Sequence, residues 1–530
     1  MNDGIEIAND ACPLLEPGEL GRPLVRHDTQ HPSFADDLDG HAGFEGLIEN
    51  GVHILAELGG RDFHVGIIAR TYLLLRTYVS GYKEEFGRGP NAGEGARPTN
   101  GARNTAANGI LWFVKRASLV LILTGLILTL PLWGEGASSA EYRARRAELR
   151  KPLDGVLVLF GAEEPSDLHD RFFQEPNFFY LTGWQEPGAA LVMTGAEEIL
   201  FLPPRHPHME AYNGRTTSPE DKDAAEKSGF EKILPRAAVE TQFLRMIESS
   251  AKIYALNVDA TAQKLIRLAA LHETANAADL ITRQRIKKSA AEIDLIRKAT
   301  DATVMAHRSV WKQIRPGLFE YQIAAAMADT YEQLGCERSA YAPIVGSGPN
   351  SILLHYAANK RKIEAGEVIV IDAGGEYSGY ATDVTRTIPA SGKFTARQRE
   401  IYGIVLAAQK AAIAAVKPGM KLRGDDAASL QKIAMSYINT HGKDLHGEPL
   451  GKYYVHGLGH YVGLEVHDPG SFDVPLEAGM VITIEPGIYI PEENLGVRIE
   501  DTVLVTATGA EVLSSALPKE AEEIEGLIGK

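Results

Sequence analysis

Cysteine is scarce: the 530 residues include only Cys12 and Cys336. The two lie far apart and fit no thiolate-metal spacing, which excludes a disulfide framework and a zinc ribbon. Cys336 reads as a small buried hydrophobe rather than a catalytic thiol. Positive charge is also in short supply. Lys and Arg number 54 against 70 Asp and Glu, a formal net charge of −16. Such a polyanion has no electrostatic reason to bind nucleic acid. No glycine-rich phosphate loop follows any strand-like run, so nucleotide binding has no support either. Apolar residues are plentiful, at 44% of the chain. At this length they suit about three domains of roughly 150 residues each.

The longest apolar run lies inside the chain. Residues 114–140 read VKRASLVLILTGLILTLPLWGEGASSA. A basic pair, Lys115-Arg116, precedes the uncharged stretch, and small residues follow it. That is the layout of a secretory signal peptide, and the run is also marginally long enough to span a membrane. Two expectations follow. Either the natural start is Val114, with residues 1–113 a start-site artefact and the protein exported, or residues 1–113 are a cytoplasmic segment and 117–134 is a membrane anchor. A buried core helix is a third reading. Segments 44–58 and 64–86 have mixed helical patterning, and 87–109 reads as a Gly/Asn/Ala/Arg linker. No function is legible in residues 1–113.

Residues 141–275 alternate apolar runs with helical stretches, the pattern of an α/β domain. The strand candidates are 155–161, 189–195, 198–204 and 252–257; the helix candidates are 225–234 and 241–250. His206 and His208 fall in a proline-rich loop and read as surface residues. Residues 280–525 begin with a capping box, Ser289 and Glu292. A helix is expected from there to about Ile314, ended by Pro316-Gly317. Further helices are expected over 318–334 and 396–416, with β segments between and after. The fold class of this half is α+β.

Its acidic residues stand at strand ends. EVIVIDAGGEYSGYATDVTRTIP (367–389) carries Asp372 after a buried run and Asp383 on the returning strand. With the turn centred on Tyr377-Ser378 the two are directly opposed, with Cβ atoms about 4.5–5.5 Å apart. Two ionised carboxylates so close repel, so a proton, an arginine or a cation must compensate. Arg386 is the nearest base, and an Asp–Arg network is one solution. GMVITIEPGIYI (479–490) ends another strand in Glu485. In GVRIEDTVLVT (496–506), Arg498 and Glu500 share one face by alternation. Asp372, Asp383, Glu485 and Glu500 bring four negative charges, and two divalent ions neutralise them with His460 as a neutral nitrogen ligand. Oxygen-rich donors with one imidazole favour Mn2+, with Co2+ or Zn2+ as alternatives. In VHGLGHYVGLEVHD (455–468) the glycines argue against a helical His-x-x-x-His pair.

These phrases resemble the M24 metallopeptidases. IDAGGEYSGYATDVTRT, HGLGHYVGLEVHD, TIEPGIYI and GVRIED carry the likeness over 280–525, and NFFYLTGWQEPGAAL (177–191) resembles a creatinase-type N-domain. Residues 141–525 resemble the proline-specific branch of that family, the Xaa-Pro aminopeptidases and Xaa-Pro dipeptidases. The resemblance implies a creatinase-type α/β N-domain followed by a pita-bread catalytic domain. It implies that Asp372 chelates one metal, that Asp383 and Glu500 bridge two, and that His460 and Glu485 complete the ligand set of the second metal. Glu485 would also relay a proton. His467 would reach the scissile carbonyl or the departing nitrogen, His355 would bind substrate, and His456 would line the pocket. Arg498, on the face of Glu500, is expected to bind a substrate carboxylate or main chain. The implied substrates are peptides with proline at the second position, and the implied assembly is a homo-oligomer. A dipeptidase, or a non-catalytic binding protein of the same fold, are the competing readings.

Overall fold

In the N-terminal half, short runs of β-branched and aliphatic residues form a six-stranded sheet. The computed structural model describes residues 137–167 and 169–529. The apolar run 117–134, Cys12 and the expectations for residues 1–113 lie outside the described residues. Helix α1 (Ser139–Arg150) starts within the last residues of the expected leader, and Ser138 Oγ accepts from Glu141 N at 3.2 Å to cap it. The sheet contains β1 (Val156–Phe160), β2 (Ala190–Met193), β3 (Glu198–Leu202), β4 (Ile233–Pro235), β5 (Lys252–Ala255) and β6 (Glu273–Asn276). Its order is β4-β3-β2-β1-β5-β6. Strands β1, β2 and β3 pair antiparallel, and the outer pairs are parallel.

Helix α2 (Pro176–Thr182) packs beside α1, while α3 (Val239–Ile247) and α4 (Ala260–Leu268) cover the other face of the sheet. The helix expected over 225–234 stops early. Gly229 takes a left-handed φ of 68° as its C-cap, and Ile233–Pro235 pairs with β3 instead. His206 and His208 are exposed, as read from the sequence.

Helix α5 (Ala277–Arg285) leads into α6 (Ala290–Trp311), whose capping box of Ser289 and Glu292 is formed on both sides. Helix α7 (Glu320–Gln333) follows. Then come β7 (Arg338–Ser339), β8 (Ile344–Ser347), β9 (Val368–Asp372), β10 (Gly375–Tyr377), β11 (Tyr380–Ala381) and β12 (Thr385–Pro389). Helices α8 (Ala396–Ala415) and α9 (Leu430–His441) precede β13 (Val481–Ile484), β14 (Gly487–Ile490), β15 (Leu495–Arg498), β16 (Asp501–Val505) and β17 (Ala510–Val512). Three small antiparallel sheets (β8-β9-β12, β13-β16-β17 and β14-β15) converge their strand ends, with α6, α7 and α8 packed around them. Cys336 lies in this core, and burial pushes its thiol up to about 12, so it is inert at neutral pH.

The two halves share a core. Phe178, Phe179 and Leu181 from α2 pack in one cluster with Val462, Leu464, Val481 and Leu504. Glu292 joins them electrostatically, 3.2 Å from Arg145 of α1 and accepting from Tyr380 Oη at 2.8 Å. No helix among the described residues is long and apolar enough to cross a membrane.

Candidate functional site

The hairpin between β10 and β11 turns one residue later than expected. Glu376 pairs with Ala381 and Tyr377 with Tyr380, so the turn is Ser378-Gly379. Both take positive φ, 49° and 78°, the conformation of a two-residue hairpin turn. The shift changes the register below it. Asp372 faces Thr385 across β9 and β12, and Asp383 sits two residues back on the returning chain, a diagonal rather than a direct neighbour. The two carboxylates remain on one face because the offset is even. A phenol joins them: Tyr341 Oη donates to Asp372 Oδ1 at 2.5 Å and contacts Asp383 Oδ1 as well. Arg386 is not their counter-ion. Its side chain leaves by the opposite face and bonds Asp501 Oδ1 at 2.7 Å and the Glu500 carbonyl at 2.6 Å.

Glu500 lies between β15 and β16, where the expected continuous strand breaks. Its amide donates to Thr385 O at 3.0 Å, and its Oε2 accepts from Thr385 Oγ1 at 2.6 Å. These bonds tie Glu500 to the residue opposite Asp372. Glu485 follows β13, with its amide donating to Leu458 O at 2.8 Å. His460 is held on the same strand edge: its carbonyl accepts from Thr483 N at 2.9 Å. Gly459 permits that approach, because a Cβ there would fall 2.0 Å from Thr483 O. His460 Nδ1 faces Tyr461 O at 3.1 Å. A carbonyl only accepts, so Nδ1 carries the proton and Nε2 is left as the ligand atom. Nε2 points at Asp383 Oδ2 (3.4 Å) and Glu485 Oε1 (3.5 Å).

Ligand atoms of Asp383, His460 and Glu500 all lie within 4.8 Å of one another, and all three residues are buried. The donor set fits divalent cations on electrostatic grounds. Among the described residues only Asp372 of the four carboxylates is paired with an arginine, Arg498. Burial, and then the charges of Asp383, Glu485 and Asp372, hold Glu500 well above the usual carboxylate range. Burial pushes Glu485 up to about 7 and Asp372 up to about 6. Burial opposes a charge on His460, but Asp383 and Glu485 outweigh it and raise the imidazole to about 9. Without a cation this cluster must hold protons; with one or two it need not.

A cavity of about 480 Å3 opens onto the cluster, and His355, His456, His467 and Arg498 all line it. His467 is exposed and stands edge-on to His460, with ring centroids 4.4 Å apart. Partial burial of the ring and then the charge of His460 lower its pKa. His355 is exposed on the wall. His456 is held at both nitrogens, by Gly457 O at 2.9 Å and Tyr489 Oη at 2.9 Å. Burial and the charge of Arg498 lower it to about 4.

Arg498 differs from its expected substrate role. Nη2 donates to Asp372 Oδ2 at 2.6 Å and to Leu354 O at 3.3 Å, and Nη1 donates to Tyr489 Oη at 2.8 Å. The guanidinium is therefore spent on the site's own groups. A chain runs from Asp372 through Arg498 and Tyr489 to His456. Tyr489 and Tyr341 carry no spacing signal, and reading the sequence missed both. Gly487 is the one local clue: a Cβ there would lie 2.5 Å from Tyr489 Oη, so the phenol folds back across it.

Residues 294–507 match metallopeptidase family M24, and residues 142–254 match the aminopeptidase P N-terminal domain. The chain is 34% identical to the Xaa-Pro aminopeptidase of Haemophilus influenzae over 419 residues, covering 73% of this chain and 96% of that protein. The chain belongs to metallopeptidase family M24. With the Xaa-Pro aminopeptidase of Escherichia coli this M24 protein shares 32% identity, covering 74% of it and 98% of the relative. Aminopeptidase P from E. coli, solved with the inhibitor Pro-Leu, superposes with a TM-score of 0.67 at 29% identity, over 74% of this chain and 98% of that one. The two-part α/β and α+β architecture expected from the sequence is the architecture of these M24 relatives. The matched ranges leave residues 1–141 outside either family domain.

Proposed function

We propose that the protein is a metal-dependent Xaa-Pro aminopeptidase that hydrolyses the bond before a proline at the second position. The observation that carries this reading is the buried triad of Asp383, His460 and Glu500 at the floor of a cavity walled by three more histidines. The names of the relatives support the substrate class.

Asp372, Asp383, His460, Glu485 and Glu500 would hold two divalent ions, with Mn2+ preferred by the hard oxygen donors. When bound, such ions supply Lewis acidity and lower the pKa of a water. The chain's own groups do the rest. Glu485, at the edge of the acid cluster, takes a proton from the attacking water and returns it to the proline nitrogen as the C–N bond breaks. Neutral His467 donates a ring N–H to the carbonyl oxygen that gains charge. His355 positions substrate from the cavity wall. Arg498 holds Asp372 in place, and Tyr489 holds His456. The products, the free amino acid X with its new carboxylate and the peptide that begins with proline, require no further group.

The deciding experiment is hydrolysis of X-Pro-Y tripeptides and X-Pro dipeptides, with and without added Mn2+. Release of X from the tripeptide, dependent on the metal, is the expected result. Cleavage of dipeptides alone would make the enzyme a dipeptidase, and cleavage of neither would leave a binding protein. We further propose that the 114–140 leader exports the protein or that 117–134 anchors it in a membrane, and that it works as a homo-oligomer. N-terminal sequencing of the natural protein tests the first, a terminus near Ala140 meaning cleavage. Sedimentation tests the second.

A further inference from the structure

Arg423 lines the active-site cavity from a loop that no motif marks. The loop joins α8 to α9 and is tied shut. Lys421 N donates to Ala428 O at 2.8 Å, Leu430 N to Lys421 O at 2.9 Å, and Ser429 Oγ to Gly424 O at 2.7 Å. From it the Arg423 side chain crosses the His456–His460 segment. Nε donates to Gly459 O at 2.8 Å, and the guanidinium carbon lies 3.9 Å from the centre of the Phe472 ring. Gly457 makes room for it, because a Cβ there would fall 2.4 Å from Nε. Backbone, ring and glycine thus fix the guanidinium in one place.

Its two terminal nitrogens are unspent. Nε is the only Arg423 atom with a hydrogen bond, and no carboxylate approaches within 4.0 Å of the side chain among the described residues. Three buried arginines differ from this half-buried one: Arg498 is bound to Asp372, Arg386 to Asp501 and Arg285 to Asp468. The field of Arg423 reaches both His456 and His467. A guanidinium with an open fork is matched by a carboxylate, which it binds through two parallel N–H···O bonds.

We propose that Arg423 is a specificity-determining residue that captures a carboxylate on the leaving-group side of a short peptide. This rests on reading the site as an Xaa-Pro aminopeptidase. The polarity of the cavity sets the orientation. The substrate's N-terminal ammonium is drawn to the acidic cluster and repelled by Arg423, so the opposite end of the peptide meets the arginine. The carboxylate is either the C-terminus of a tripeptide or an acidic side chain just after proline. An amidated, neutral peptide offers neither.

The test compares kcat/KM of the Mn2+-loaded protein for Ala-Pro-Ala, Ala-Pro-Ala-amide and Ala-Pro-Asp-amide. The free tripeptide is expected to exceed its amide by about tenfold, chiefly through KM, with Arg423→Gln bringing that ratio to about one and Arg423→Lys keeping part of it. Recovery of the ratio by the Asp-amide identifies a side-chain carboxylate as an equal source; failure to recover assigns the subsite to the terminal carboxylate. Equal rates for acid and amide in the unsubstituted protein overturn the inference and leave the peptidase reading intact. So does a Gln variant that lowers both in proportion, which is what a purely structural arginine would give. No cleavage of any of the three overturns both readings.

Discussion

Arg498 Nη2 lies 2.6 Å from Asp372 Oδ2, and the same guanidinium holds Tyr489 through Nη1 at 2.8 Å. One buried arginine therefore orients an acid of the metal cluster and, through a phenol, a histidine of the wall. Replacing it by Gln should weaken metal affinity or activity by about 10–100-fold, the usual cost of losing a partner that orients a metal ligand. Calorimetric metal titration beside steady-state kinetics measures both. A rise in KM alone, with metal affinity intact, would return Arg498 to the substrate role read from the sequence.

Glu485 is the acid assigned the proton transfer, with Oε1 3.5 Å from His460 Nε2. Glu485→Gln should lower kcat by about 10²–10⁴-fold, the range of general acid–base contributions. The far-UV circular dichroism should match that of the parent protein, since the isosteric amide keeps the fold. Parent-like turnover in this variant would remove Glu485 from the mechanism.

The two neighbouring histidines, His460 and His467, should separate cleanly. His460→Ala removes the nitrogen ligand, and metal content after dialysis should drop. His467→Ala should keep its metal and lose about 10²–10³-fold in kcat, as loss of a donor to developing negative charge does. Elemental analysis of both purified variants checks this, and the reverse pattern would exchange their roles.

Metal affinity should rise with pH. In the metal-free site His460 is raised to about 9, Glu485 to about 7 and Glu500 well above the usual carboxylate value. Each such proton must leave before a cation binds, so binding releases protons and is favoured as they ionise. Between pH 6 and 8 the apparent affinity should climb by about tenfold per pH unit for each proton displaced. A flat profile over that window would contradict the electrostatics of the cluster.

Much of the site was legible because its chemistry is carried by short phrases. Asp372 and Glu485 follow apolar runs, Asp383, His460 and Glu500 fall in short phrases of their own, and the structure brings all five to one cavity. The capping box at Ser289 and Glu292 likewise announced α6 from two residues. Register was harder. Ser378-Gly379 and Tyr377-Ser378 both look like turns, and only the pairing of Glu376 with Ala381 decides between them. Contacts between distant segments left no local trace. Tyr341 meets acids 31 and 42 residues away, and Arg498 meets Asp372 from 126 residues away. Alternation put Arg498 on the correct face, but it could not say that an acid was already waiting there.

Arg285 ends the helix that joins the two halves of the described chain, and it grips both. Nη1 donates to Asn177 Oδ1 at 2.8 Å, while Nη2 reaches Glu465 at 2.8 Å and Asp468 at 2.6 Å, the residue after His467. The amino-terminal lobe is thus a buttress for the histidine loop, not a detachable appendage. Excising it would strip the cover from Val462, Leu464 and Val481 and take Asn177 from Arg285 in the same cut. A chain cut at residue 275 would carry that bared apolar face beside its own active-site loop.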